Sequence, residues 1–242
     1  MDDTTLLGHL GEDRDALAAL AGAELTADVA GCPGWDLHHL LGHLGLVHRM
    51  AGRMVATAPG SEPPPATEKP PAGEAVVGWL VEGLDRLIAD LEARGPDQPC
   101  VGWAGPTDVR WWLRRQTHET AVHRWDAELA AGRPAHLDGD LAADGISEWL
   151  EIQPLRGYRP PAGLRGTIHL HGTDGDGEWL VRLGDELTWE QGHHKGDVAV
   201  RSERDRLLLA CWGRIPGAEL ERFGDAALWD AFIDSLRFRA GR

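Results

Sequence analysis

The sequence predicts an α plus α+β protein. An N-terminal four-helix bundle over residues 1–135 is followed by a small C-terminal α+β domain over 136–242. Three observations carry this. Leucine and valine recur at helical spacing through the first 131 residues. Strand-like alternation takes over near residue 167, after a change of character between 135 and 155. Gly- and Pro-rich stretches separate the periodic runs, as chain punctuation requires.

In order along the chain, Leu6, Leu7, Leu10, Leu17 and Leu20 line one face of a helix over 3–24. CysProGlyTrpAsp at 32–36 reads as a turn, and Asp36 as the N-cap of a helix reaching about Thr57. Its apolar side holds Leu37, Leu40, Leu41, Leu44 and Val47. Residues 59–73 contain six prolines and form a loop, long enough to cover a pocket. A third helix spans 74–94, with Val77, Leu80, Leu84, Leu87 and Leu91 in pattern and Gly95 as its stop. Residues 95–106 read as a loop, and Thr107 and Asp108 as caps of a fourth helix over 108–131. Four helices in this length pack as an antiparallel bundle. Beyond them, Asp140 caps a short helix to Gln153, and residues 167–171 and 178–183 pair through the GTDGDG turn. Strands at 186–191 and 197–201 follow, then a helix capped by Ser202 and running to Trp212, then a helix over 225–238. Strands followed by helices make an α+β unit.

The composition excludes several functions. The net charge of −15 argues against binding a nucleic-acid backbone or an anionic membrane. No apolar run reaches the roughly 18 residues a membrane helix needs, and the acidic N-terminus is not expected to act as a signal peptide. Three cysteines, at 32, 100 and 211, form no CxxC and no disulfide framework, so a reducing cytoplasm is expected. Only two lysines, Lys69 and Lys195, occur in an Arg-, Ala- and Gly-rich chain, which fits a high-GC bacterial source. The oligomeric state is not legible, and nothing calls for more than a monomer.

Histidines concentrate in the bundle, at 38, 39, 43 and 48 on the second helix and at 118 and 123 on the fourth. HisGluThrAlaValHis is one residue too long for the zinc-protease HExxH pattern. At about 100° per residue, His118 and His123 point roughly 140° apart and do not share a metal on a regular helix. Glu119 and His123, four apart, lie on one face and offer a two-ligand edge. A third ligand must come from another helix, and spacing leaves His38, His39, His43 and His48 open. A His–Glu–His set would leave a position on zinc for water or a thiol. The competing reading is a solvated surface pair.

Other features read as structural. His169 and His171 alternate on a strand as surface or core residues, and His193 and His194 sit solvated in a turn. Cys32 and Cys211 have no neighbouring base in sequence, which favours buried structural roles. Trp111, Trp112 and Trp125 read as core packing, and Asp174 with Asp176 matches a calcium loop only weakly.

Three segments occur in order: CPGWDLHHLLGHLGLVHRMA at 32–51, RRQTHETAVHRWDAELAAG at 114–132 and LLLACWGRIPG at 207–217. Together they resemble the maleylpyruvate isomerase family of mycothiol-dependent enzymes. The resemblance covers nearly the whole chain. It implies a DinB-like bundle and a C-terminal domain similar to sterol-carrier-protein folds. It also implies a divalent metal, usually zinc, on a second-helix histidine and a Glu-xxx-His pair. The matching positions are His43, eight residues after Trp35, with Glu119 and His123.

The family chemistry uses the thiol of mycothiol. Zinc lowers the thiol pKa, the thiolate adds to the cis double bond of maleylpyruvate, the new single bond rotates, and elimination gives fumarylpyruvate. The resemblance further implies an arginine of the C-terminal domain acting on the dicarboxylate, and Arg214 is the candidate catalytic residue. Its alternative role is a charge at a helix C-terminus. The expected partners are mycothiol and a small-molecule electrophile, with S-transfer or isomerisation as the reaction. The other readings are a zinc hydrolase using metal-bound water and a non-catalytic ligand-binding or regulatory protein.

Overall fold

A computed structural model describes residues 1–236 and divides into two compact units, Met1–His136 and a second beginning at Leu137. The end of the last expected helix, residues 237–238, lies outside the described residues.

The first unit contains α1 (Asp3–Ala18), α2 (Leu37–Val55), α3 (Ala75–Arg94) and α4 (Val109–Ala130). Asp2, Asp36 and Asp108 cap α1, α2 and α4 by accepting from backbone N–H groups three residues on. α2 packs on α3 and α1 on α4, and α2–α4 and α1–α3 contacts close the bundle. Leu6, Leu10 and Leu17 of α1, Leu40, Leu41 and Leu44 of α2 and Leu80, Leu84 and Leu87 of α3 are all buried in a core that excludes water. α1 is shorter than the leucine spacing implies. It ends at Ala18, and Leu20 stays buried within the turns that follow.

α2 and α3 approach closely because of two glycines. A Cβ on Gly45 would lie 2.4 Å from the Trp79 ring, and one on Gly83 would lie 2.2 Å from the Arg49 guanidinium. Arg49 in turn sits 3.7 Å over the Trp79 ring. The proline-rich stretch before α3 is anchored on α2, where the Pro71 carbonyl meets His38 Nε2 at 3.0 Å.

The stretch expected as a plain loop before α4 holds a two-stranded hairpin, β1 (Pro99–Gly102) and β2 (Gly105–Asp108). Its Gly/Pro content hides the pairing, which tertiary contacts supply. Val101 donates to the Thr57 carbonyl, and Trp112 Nε1 donates to the Val101 carbonyl at 2.7 Å. Trp103, Trp111 and Trp112 meet edge to face beside it.

His48 of α2 is wholly buried, with Nε2 2.9 Å from Thr120 Oγ1. Burial pushes its pKa down from 6.5 to about 3. Between these values the unfolded chain binds a proton that the folded chain refuses, so stability falls as pH drops from about 6.5 toward 3. His48→Leu is expected to flatten this acid limb. Urea midpoints at pH 7 and pH 5 test it, and an unchanged difference between the two would count against the assignment.

The second unit begins with α5 (Gly139–Leu155), capped by Asp138 and not by Asp140, because the Asp138 carboxylate reaches the N–H groups of Asp140 and Leu141. A five-stranded sheet follows, in the order β5 (Leu187–Gln191), β4 (Glu178–Leu183), β3 (Gly166–Gly172), β6 (Val198–Ser202), β7 (Glu221–Gly224). Only β3 and β6 run parallel. β7 is a four-residue edge strand that alternation in the sequence does not reveal. α6 (Arg204–Cys211) starts after Glu203, and the expected Ser202 cap is replaced by Asp174, whose carboxylate accepts from the Arg204 backbone and Nε. That engagement gives the Asp174 carboxylate a structural partner at the start of α6. α7 (Ala226–Leu236) buries Trp229 and Phe232. One sheet face presents Ile168, Leu170, Trp179, Val181, Val198 and Val200, all buried. Trp179 Nε1 ties that face to Ser147 of α5 at 2.9 Å.

Candidate metal centre

The turn at 32–36 positions the first part of the site. Trp35 donates to the Cys32 carbonyl and Val29 to the Trp35 carbonyl, while Gly34 supplies the positive φ of 85° that the turn needs. The Trp35 ring then lies along α2, stacked on His39 at 4.4 Å and tilted against His43 at 4.9 Å.

On α4, Glu119 and His123 face α2. Glu119 Oε1 is 3.7 Å from His43 Nε2 and 3.4 Å from His123 Nε2. Single donor atoms of His43, Glu119 and His123 all lie within 4.8 Å of one another. Of the four second-helix histidines, His43 alone stands in this group. His38 is held at Pro71, His39 is stacked on Trp35, and His48 is buried against Thr120. His118 is buried outside it.

The surroundings orient these donors. His123 Nδ1 lies 3.0 Å from Asp126 Oδ2, which leaves Nε2 directed at Glu119. Arg115, one turn before Glu119, is buried and pairs with Oε2, which leaves Oε1 toward the histidines. Burial alone would raise the Glu119 pKa, but Arg115, His123 and His43 hold it well below the usual carboxylate range. Burial would lower the His123 pKa, yet Asp126, Cys32 and Glu119 raise it to about 10. Cys32 is half-buried, its Sγ 3.8 Å from Asp126 Oδ2.

Asp126, Arg115 and Cys32 are the residues that spacing did not single out. Asp126 and Arg115 were within reach, three residues after His123 and four before Glu119. Cys32 was not, since its neighbour is 94 residues away.

The donors fit a divalent cation. Two imidazoles and one carboxylate suit zinc and similar ions. The second nitrogen of one imidazole is fixed by a carboxylate, and one oxygen of Glu119 is neutralised by Arg115, so a single anionic oxygen is presented. His43 and Glu119 keep partial solvent access, which a small ligand requires.

Arg214 belongs to the second unit, three residues past α6. Its guanidinium donates to the Trp212 carbonyl at 2.9 Å and lies 5.4 Å over the Trp212 ring. It therefore serves the end of α6, whatever else it binds. No helix of the described residues is long and apolar enough to cross a membrane.

Fold and site define a class: a four-helix bundle carrying a His–Glu–His donor set, joined to a separate α+β unit. Residues 9–128 match the family described as mycothiol maleylpyruvate isomerase N-terminal domain, and residues 140–231 match its MDMPI C-terminal domain. The chain belongs to the mycothiol maleylpyruvate isomerase family, a family of enzymes. Two solved structures of mycothiol-dependent maleylpyruvate isomerase share the fold. One, a histidine-to-alanine mutant, has TM-score 0.64 and 10% identity, covering 92% of this chain and 93% of that one. The other has TM-score 0.60 and 11% identity, covering 87% and 88%. No curated protein matches the chain.

Proposed function

We propose that this protein is a mycothiol-dependent enzyme acting on an electrophilic small molecule. His43, Glu119 and His123 would hold a divalent ion, zinc by donor type. The observation that carries the reading is the convergence of these three donors, with Asp126 behind His123, in a chain of this family. A bound divalent ion lowers the pKa of a coordinating thiol, so that the thiolate is present near neutral pH.

The chain's own groups do the rest. Asp126 fixes which nitrogen His123 offers. Arg115 holds Oε2 of Glu119 and keeps the carboxylate ionised, so that Oε1 would be the oxygen offered to an ion. Arg214 is proposed to pair with an anionic group of the electrophile. In the isomerase version the thiolate sulfur bonds to one carbon of a cis double bond, and elimination later breaks that bond and returns the thiol. In the S-transfer version the carbon–sulfur bond persists, and the displaced electron pair either takes up a proton on the electrophile or departs with a leaving group.

Calorimetric titration of metal-loaded and metal-stripped protein with mycothiol tests the reading. Binding to the loaded form alone, with proton release, is expected. Binding to neither form would overturn thiol dependence and favour hydrolysis by metal-bound water. Arg214→Ala is expected to weaken an anionic electrophile at least about tenfold while sparing mycothiol. Equal losses for both would leave Arg214 a structural role at the end of α6.

A further inference from the structure

A second cluster of donors lies on the sheet of the second unit, on the face opposite Leu170 and Trp179. His169 and His171, two apart on β3, project to this face together. Glu178 opens β4 directly across from His171 and diagonal to His169. The third histidine comes from beyond β5. There Gly192 takes a φ of 135° and donates its N–H to the Glu178 carbonyl at 3.0 Å, which turns the chain so that His193 folds back over β4.

All three imidazoles converge on one carboxylate. His169 Nε2 is 3.0 Å from Glu178 Oε2, His193 Nδ1 is 2.7 Å from the same oxygen, and His171 Nδ1 is 3.2 Å from Oε1. Single donor atoms of the four residues lie within 4.8 Å of one another.

We propose that His169, His171, Glu178 and His193 form a second metal site, for zinc or another borderline divalent ion of the same preference. Three nitrogens and one oxygen make a complete tetrahedral set. Donors about 2.0–2.2 Å from a common ion stand roughly 3.3–3.6 Å from one another, inside the 4.8 Å that already holds these four. A plain ion pair needs one histidine per carboxylate oxygen and no burial. Here β3 and the turn after β5 supply three imidazoles to one carboxylate of β4, and His169 is only 5% exposed. With four protein donors the site is closed. It would therefore clamp β3, β4 and the turn after β5, in place of activating a substrate.

The test uses the full-length chain, stripped with a chelator and titrated with Zn²⁺ and, separately, Co²⁺. Wild type should bind two ions per chain. The His43→Ala/His123→Ala double variant should retain one, with the intense visible Co²⁺ spectrum of a tetrahedral site. His171→Ala should lose that ion, or bind it at least about a hundredfold more weakly, and keep the bundle ion. His171 is partly exposed and His193 exposed, so these replacements spare the fold, and far-UV circular dichroism checks this. His193→Ala provides a second variant with the same expectation. A single ion in wild type that the double variant abolishes would overturn the proposal and leave a hydrogen-bonded cluster. So would His171→Ala and His193→Ala chains whose stoichiometry and affinity match wild type. The bundle site and the sheet site fail separately, because each has its own variants.

Discussion

Replacing His123 by alanine is expected to reduce metal binding in the bundle to near zero. The same outcome is expected for His43→Ala. Each leaves two donors, and two donors do not hold a divalent ion against water and buffer. Removing a residue that only orients a ligand already costs about 10–100-fold in affinity, so removing the ligand itself costs more. Asp126→Asn should therefore fall in that intermediate range, since it leaves three donors but loosens His123. Elemental analysis after dialysis reads the result. It is cleanest in a chain that also carries His171→Ala and His193→Ala, where only the bundle site is counted. Unchanged stoichiometry in His123→Ala would refute the ligand assignment. Metal uptake near neutral pH should also release about one proton. Metal-free His123, with its pKa near 10, holds a proton there that coordination must displace.

The second large effect is expected for Arg115→Met. Arg115 is 1% exposed, and its guanidinium pairs with Glu119, itself largely shielded from water. Methionine keeps much of the volume and removes the charge. In metal-free protein this strands a carboxylate whose remaining partners are His43 and His123. Breaking a buried pair in this way costs about 3–5 kcal/mol. A divalent ion bound to Glu119 would replace the lost charge, and a ligand that binds the folded state alone stabilises it by mass action. The variant should therefore melt well below wild type in chelator and recover more than wild type does when metal is added. Thermal denaturation with chelator and with Zn²⁺ tests this. An equal deficit in both conditions would mean that Arg115 acts through packing alone.

The arrangement of charge around Glu119 gives the bundle site a consistent design. Arg115 satisfies one oxygen before any metal arrives, so the metal-free protein does not carry a bare carboxylate in its interior. Asp126 does the corresponding work for His123. The site is thus shaped without its ion, which limits the reorganisation that binding requires.

Much of this was legible in the sequence because it is local. Leucine spacing on α1 to α4, the capping carboxylates of Asp36 and Asp108, and the shared face of Glu119 and His123 all follow from helical geometry over a few residues. The pairing of residues 167–171 with 178–183 follows from alternation and a Gly/Asp turn. The ordered motifs at 32–51, 114–132 and 207–217 carried the family resemblance, and with it the choice of His43 that spacing left open.

What only the tertiary structure decided is long-range. Which of four histidines on α2 joins Glu119 and His123 depends on how the two helices are rotated against each other, and that rotation is set by the whole core. Cys32 reaches Asp126 only because a turn before α2 packs beside α4. The hairpin at Pro99–Asp108 exists because Val101 finds partners outside it, donating to the Thr57 carbonyl and accepting from Trp112 Nε1. The sheet cluster is the clearest case. His169, His171 and His193 each read as unremarkable, because their shared carboxylate is assigned by strand register and by one glycine turn. Neither is written in the spacing of the residues themselves.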